Sequence, residues 1–280
     1  MIFGNKYKDG KIIGQGGFGI IYKVLEIKTN NFYALKFITI AKKDEEKIKK
    51  EYNKETATIK KLKNKYIIEL KDNFFDEINK GYCIVMELCD GNLKDILEKY
   101  KEGLPLNMVN KIFKQLNEAL KTMINKEIIH RDLKPDNILI KYTDKNNFDI
   151  KLTDFGLSAN DINSNIETHT NVGHEKYKAP EVDNYEYNKK CDLWSLGIIL
   201  YELYTNKYIF DSSNPKERKI NRKKGIVKET DNEMINKLIK KLIQVDIEKR
   251  IGWEEYFDDD FFKIKEEKDK KEESNLIGNL

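Results

Sequence analysis

The sequence predicts an α+β protein in two lobes: a small N-terminal β-sheet lobe with one helix, then a larger, mainly helical C-terminal lobe. Three observations predict it. Runs rich in β-branched and aromatic residues, punctuated by Gly and Asn, fill the chain up to residue 87. From Asn92 onward apolar residues recur at helical spacing. Residues 192–204, DLWSLGIILYELY, are apolar nearly all round, as a helix at the centre of a lobe is.

Each element has its own signal. Residues 11–13 and 20–25 read as strands on either side of a glycine cluster. Thr29, Asn30 and Asn31 supply a turn before a strand at 32–38. Residues 44–62 lack Gly and Pro and carry Ile48, Tyr52, Ile59 and Leu62 at helix-like spacing. Its lysines are mixed with acids, which reads as a solvated face rather than an anion-docking surface. Two further strands are expected at 67–75 and 82–88, with Gly81 and Gly91 as punctuation. Residues 107–126 place Val109, Ile112, Phe113, Leu116, Leu120 and Met123 on one helix face. Asn214, Pro215 and Gly225 frame a short helix as cap, first-turn proline and terminator. Helices at 234–245 and 253–262 close the fold. The expected partition is one domain over 7–262, with lobes 7–87 and 93–262 joined by a hinge at 88–92, and a charged tail over 263–280.

Composition narrows the class. The chain has 280 residues, long enough for a core that needs no disulfides or metals. Lys and Arg number 52 against 48 Asp and Glu, a net charge of 52 − 48 = +4, which argues against a dedicated nucleic-acid binder. Cys83, Cys89 and Cys191 are too few and too scattered for a disulfide framework or a zinc site. They read as free thiols in a reducing compartment, so the expected address is the cytoplasm, with the nucleus as the alternative. No apolar run approaches the length of a membrane span.

Four motifs carry chemistry. Gly14-Gln15-Gly16-Gly17-Phe18-Gly19-Ile20-Ile21 fits G-x-G-x-x-G-x-V with Ile for Val. Glycines let a backbone approach phosphate oxygens without a Cβ in the way. A dinucleotide fold needs a helix directly afterwards, whereas Ile20, Ile21 and Tyr22 continue as a strand. Alone, the run also fits a plain glycine-rich turn. In the strand at 32–38, period two puts Ala34 and Lys36 on one face. An inward lysine needs an anionic partner; the alternative is a surface lysine on an edge strand. His130-Arg131-Asp132-Leu133-Lys134-Pro135-Asp136-Asn137 is far more specific, with an acid, a lysine and an asparagine in one short loop. Asp154-Phe155-Gly156 follows a second short strand at 150–152. Hairpin packing of that strand on 138–140 brings Asn137 and Asp154 together, two oxygen donors suited to Mg²⁺ beside a triphosphate.

These motifs, in this order, resemble the eukaryotic-type protein kinase family, in its Ser/Thr-specific branch. The resemblance runs from about Tyr7 to Phe262 and includes Ala179-Pro180-Glu181, the 192–197 run and Arg250. It implies the two-lobed protein kinase-like fold and transfer of the ATP γ-phosphate to Ser/Thr hydroxyls of proteins. It implies that the loop from Gly14 to Gly19, with Gln15, Gly17 and Phe18, covers the ATP phosphates. Lys36 would hold phosphate oxygens and pair with a helix glutamate, Glu55 by its spacing, with Glu51 as alternative. Asp132 would take or orient the acceptor proton, Lys134 would neutralise the transferred group, and Asn137 and Asp154 would hold Mg²⁺. Ile21, Ala34 and Leu139 resemble the apolar sandwich around adenine; Met86 the back of its pocket; Glu87 and Cys89 the residues presenting backbone to its edge. Ile59, Leu70, His130 and Phe155 resemble a stack joining the lobes, its base tied by Asp192. Glu181 and Arg250 resemble a buried structural pair.

Regulation and selectivity follow from the same resemblance. Lys134 matches Ser/Thr rather than Tyr kinases. Arg131 beside Asp132 implies control by phosphorylation of the following loop, by an upstream kinase or by the kinase itself in trans. Among Ser158, Ser164, Thr168 and Thr170, spacing favours Thr170. Asp136 and Glu202 match positions that take substrate arginines in basophilic members, a weak lean to basic motifs. One departure stands out: Gly173-His174 replaces the family's Gly-Thr, so His174 either substitutes as a donor to the catalytic loop or weakens it. The other reading is a nucleotide-binding scaffold that signals by its fold, against which stands the complete set Lys36, Asp132, Asn137 and Asp154.

Overall fold

A computed structural model describes residues 1–16, 19–40, 45–145, 147–160, 173–184 and 188–263. The first lobe is one antiparallel sheet. Its strands are β1 (Ile2–Phe3), β2 (Tyr7–Gly16), β3 (Gly19–Glu26), β4 (Phe32–Thr39), β5 (Leu70–Asp76) and β6 (Gly81–Glu87), in the order β1-β2-β3-β4-β6-β5. The side chains alternate as period two requires. Leu35 and Phe37 join Tyr22, Val24, Cys83 and Val85 in a small core on one face. Ala34 and Lys36 lie on the other, paired across the ladder with Met86 and Ile84.

Helix α1 (Glu45–Lys61) packs on this lobe. Glu45 and Glu46 in its first turn and Lys60 and Lys61 in its last complement the helix dipole. Tyr52, Glu55, Thr56 and Ile59 form its buried face. The apolar run expected as a strand from residue 67 enters the sheet only at Leu70. Ile67 bridges to Leu152 instead, and the Ile68 N–H donates to the Leu152 carbonyl at 3.0 Å, so these two residues fasten the small lobe to the large one.

Beyond the connector come β7 (Gly91–Asn92), α2 (Leu93–Lys99), α3 (Leu106–Asn125) and β8 (Ile128–Ile129). A hairpin follows, β9 (Ile138–Tyr142) and β10 (Phe148–Leu152), then β11 (Ala159–Asn160), which pairs with β8. The lobe is completed by α4 (Cys191–Thr205), α5 (Pro215–Lys224), α6 (Glu233–Leu242) and α7 (Trp253–Phe257). Helix α4 is buried from Cys191 to Leu203 and forms the lobe's centre, with Trp194 stacked on Phe210 at 5.6 Å. The Asn214 side chain caps α5 and Gly225 ends it at φ +63°. The closing helices are shorter than their periodicity predicts. Helix α6 stops at Leu242, and residues 253–262 break after Phe257 into a separate turn, Asp260–Lys263.

Asp192 and Arg250 organise the polar interior. The Asp192 carboxylate accepts from the N–H groups of His130 (2.8 Å) and Arg131 (2.9 Å), which fixes the loop before Asp132. Burial raises the Asp192 carboxyl above its ordinary value, against the pull of His130 and of those bonds. Arg250, fully buried, holds Glu181 through both guanidinium NH groups and lies over the Trp194 ring at 5.2 Å.

Candidate active site

Lys36 is buried on a sheet face, so its charge must be met there. Its Nζ donates to both Glu55 oxygens, at 2.7 and 2.9 Å, and reaches Asp154 Oδ1 at 3.4 Å. Burial works against the ammonium, but Glu55 and Asp154 outweigh it and hold Lys36 above the ordinary lysine value. The spacing alternative is resolved by rotation around α1. Glu55 shares the buried stripe with Tyr52 and Ile59, whereas Glu51 is exposed.

A second cluster surrounds Asp132. Its Oδ2 accepts from Lys134 Nζ (2.6 Å) and Asn137 Nδ2 (3.0 Å), and its Oδ1 from the His174 main-chain N–H (3.0 Å). Asn137 Nδ2 also donates to the Asp132 carbonyl at 2.8 Å. The Thr153 carbonyl can only accept, so the His130 Nε2 facing it at 3.0 Å carries the proton, and Nδ1 accepts from the Asp132 N–H. The hairpin closes as expected: Leu152 pairs with Ile138, and the Thr153 N–H donates to the Asn137 carbonyl at 3.0 Å. Two residues beside the site have left-handed backbones, Arg131 at φ +68° and Asp154 at φ +65°. Such conformations persist in non-glycine residues only where neighbours enforce them. Asp192 enforces the first.

A cleft of about 650 Å³ joins the clusters. Gly14, Gly16, Gly19, Ile21, Ala34, Lys36, Met86 and Glu87 line it from the sheet, Cys89 from the connector, and Asn137, Leu139 and Asp154 from below. Gly19 needs its glycine: φ is +131°, and a Cβ there would lie 2.5 Å from the Phe37 carbonyl oxygen. Gln15 is exposed and does not line the cleft: it pairs with Ile20 one step from the end of the β2–β3 ladder, where its side chain is left to solvent. Gly17 and Phe18 lie outside the described residues.

Of the expected stack of Ile59, Leu70, His130 and Phe155, the last two are in ring contact. The His130 and Phe155 rings lie 5.2 Å apart, and Ile59 and Leu70 pack into the same core cluster. Ser158 is corrected as a modification site. It is buried, and its Oγ donates to the Phe155 carbonyl at 2.7 Å. Ser164, Thr168 and Thr170 lie outside the described residues.

Sequence reasoning missed three features. Asn92 and Asp95 face the cleft's outer edge and cap α2 reciprocally, at 3.1 and 2.9 Å. Their N-x-x-D spacing was a readable capping signal. Glu87 contributes a buried carboxylate behind the connector, bonded by Lys151 (2.8 Å), Lys141 and the Glu69 N–H (3.0 Å). Burial raises its carboxyl, but these donors outweigh burial and hold it below the ordinary 4.5. Burial also pushes the Cys89 thiol up to about 12, so it lines the cleft protonated. Nothing local could have paired Glu87 with lysines more than 50 residues away. The third feature is the set of partners of Lys176, taken up below.

A glycine hairpin over a lysine–glutamate pair, facing an aspartate loop across a cleft between a β-sheet lobe and a helical lobe, is the two-lobed protein kinase fold. The chain belongs to the protein kinase domain family, which matches it over residues 7–262. It is 34% identical over 266 residues to serine/threonine-protein kinase 33 of Bos taurus, covering 90% of this chain and 54% of that one. It is 32% identical over 253 residues to serine/threonine-protein kinase atg1 of Dictyostelium discoideum, covering 88% and 38%. A calcium-dependent protein kinase 4 of Plasmodium falciparum is 32% identical over 214 residues, covering 76% and 40%. The chain thus spans about half or less of the length of these relatives.

Proposed function

We propose that this chain transfers the γ-phosphoryl group of ATP to Ser and Thr hydroxyls of protein substrates, with Mg²⁺. The observation that carries the reading is the assembled Lys36–Glu55 pair with Asp154 beside it, at the edge of a cleft large enough for a nucleotide.

In this reading the glycine hairpin covers the phosphates, and Lys36, held by Glu55, directs its ammonium at phosphate oxygens. Ile21, Ala34 and Leu139 enclose the adenine, and the Glu87 and Cys89 backbone meets its edge. The donor set fits Mg²⁺. Asn137 commits its Nδ2 to Asp132, which leaves its amide oxygen without a protein partner among the described residues, and Asp154 offers a partly exposed carboxylate. Bound there, the ion neutralises charge on the phosphates. Asp132 then orients the acceptor hydroxyl and takes its proton, while Lys134 balances charge on the transferring group. The protein's work is positioning and electrostatics.

The same reading assigns control to Thr170. Arg131 donates from Nε to the Leu157 carbonyl at 2.6 Å, so it borders the loop that carries Thr170. Burial and the charge of Arg131 both lower Lys54 on α1, which makes these two cations neighbours that an added phosphate relieves. The donor is an upstream kinase or a second copy acting in trans.

The test uses purified chain, labelled ATP, Mg²⁺ and a Ser/Thr/Tyr peptide library. Transfer to Ser/Thr peptides that disappears in Lys36→Met and Asp132→Asn supports the reading. Absence of transfer from wild type, even after phosphorylation of its loop by another kinase, leaves the scaffold reading.

A further inference from the structure

A groove of about 320 Å³ opens beside Asp132, lined among others by Leu97, Pro135, Asp136, His174, Lys176 and Glu202. On the proposed reading it receives residues flanking the phosphoacceptor. Its two acids face different fates. Asp136 is 41% exposed and meets Lys94, itself 58% exposed, at 3.4 Å, a solvent-screened contact of little strength. Glu202 is buried on α4, and a buried carboxylate requires a cation or several donors.

Both Glu202 oxygens are taken by the chain itself. Oε1 accepts from Lys176 Nζ, and Oε2 accepts from the Tyr177 hydroxyl at 2.6 Å. The Lys176 ammonium also lies 5.3 Å from the ring centroids of both Tyr177 and Tyr208. Two faces of aromatic charge thus add to the carboxylate. The backbone of Lys176 is fastened at both ends: its N–H donates to His174 Nδ1 at 3.3 Å, and its carbonyl accepts from the Tyr208 hydroxyl at 3.1 Å. This is a built cage around one ammonium, unlike a lysine on a solvated face.

We propose that Lys176 is a specificity-determining residue: a tethered cation that occupies the Glu202 carboxylate subsite beside the phosphoacceptor, so that the kinase does not select a basic residue at the substrate position that Glu202 faces. A substrate arginine has to displace a lysine already held at high effective concentration and already flanked by two rings. Removing the tethered cation leaves a buried carboxylate that a substrate cation can then satisfy. On this proposal the lean toward basic motifs, drawn from Asp136 and Glu202, rests on Asp136 alone once Lys176 is counted.

The inference rests on the phosphotransfer reading, and the experiment separates the two. Peptides with a fixed Ser or Thr acceptor carry Arg or Ala at each flanking position, and the Arg:Ala ratio of kcat/KM is measured. Matched peptides with Ala at the acceptor position report binding by fluorescence anisotropy, which reads the subsite whether or not phosphate is transferred. In Lys176→Met the ratio rises roughly tenfold or more at one position, the strength of a charge-assisted bond, and at that position in wild type it stays within about twofold. Lys176→Arg keeps the wild-type ratio, and the double variant Lys176→Met, Glu202→Gln returns to it. A wild type that already selects Arg, with the preference lost in Glu202→Gln, overturns the proposal. So does a folded Lys176→Met or Lys176→Thr with no new preference. If no protein transfers phosphate while anisotropy gives the expected ratios, the subsite stands and the phosphotransfer reading falls.

Discussion

The main-chain N–H of His174 donates to Asp132 Oδ1 at 3.0 Å, and the imidazole takes no part in that bond. The ring turns away, with Nδ1 accepting from the Lys176 N–H and its face 5.6 Å from Tyr177. The histidine that replaces the family's threonine therefore supports the catalytic loop through the one group every residue but proline has. His174→Ala and His174→Thr are expected to keep kcat within about threefold of wild type, since the donor is main-chain. Gly173 is the sensitive neighbour. It sits at φ +96°, and a Cβ there would lie 2.6 Å from the Arg131 carbonyl oxygen. Gly173→Ala is expected to lower kcat by roughly 100-fold, the usual cost of displacing a preorganised donor. Peptide kinetics and thermal unfolding of the three variants check this. A His174→Ala variant as impaired as Gly173→Ala would show that the side chain matters after all.

The rotation of α1 makes a second prediction. Lys36 pairs with Glu55, and Glu51 is exposed. Glu55→Gln leaves Lys36 without its charged partner and is expected to slow phosphotransfer at least about tenfold. Glu51→Gln changes it by less than about twofold, because an exposed charge contributes little. Initial rates at saturating and subsaturating ATP distinguish the two. Equal losses would mean that α1 turns in the working enzyme.

Stability hangs on Arg250. Its guanidinium is 0% exposed and meets Glu181 through both NH groups, with the Lys190 and Gln244 carbonyls taking further bonds. Arg250→Met strands the Glu181 carboxylate and is expected to destabilise the fold by about 3–5 kcal/mol. Urea unfolding followed by fluorescence measures it. Activity per folded molecule should hold while the midpoint falls; a loss of unfolding free energy under about 1 kcal/mol would place the pair among the weak surface bridges.

Acid sensitivity should trace to Glu87. Its donors hold its folded pKa below the ordinary glutamate value of 4.5. A carboxylate depressed in the folded state stabilises it above the unfolded pKa, and that contribution is lost as pH falls through the folded value. Glu87→Gln should therefore be less stable than wild type at neutral pH, and its stability should fall less steeply below pH 4.5. The two curves should approach each other in acid. Circular dichroism across pH 3–7 tests this (limits of about these values cover the carboxylate range). Parallel curves throughout would remove Glu87 as the cause.

Much of the fold and site could be read from the residues because the signals were local. Period two put Lys36 on the face of Ala34, and the ladder opposite Ile84 and Met86 bears that out. The turn motif put Asn137 and Asp154 at the two ends of one hairpin. What escaped was set by distance or by main chain. Lys176 and Glu202 stand on different elements, 26 residues apart, and many other lysines could as well have met that acid. Ser158 stood among four candidate loop hydroxyls, and only the fold shows its Oγ bonded to the Phe155 carbonyl. Ile67 and Ile68 looked like the start of a strand because apolar runs do not say which lobe they will pair with.

Glu87 ties the connector to Glu69 of the small lobe and to Lys141 and Lys151 of the large one. Ile67 and Ile68 fasten the same edge to Leu152. These attachments make a fulcrum at the back of the cleft. A lobe that swings about it carries Met86 almost nowhere and the glycine hairpin farthest, as the free end of a lever moves most. On the proposed function, opening to exchange nucleotide would leave the adenine wall standing while the phosphate cover lifts.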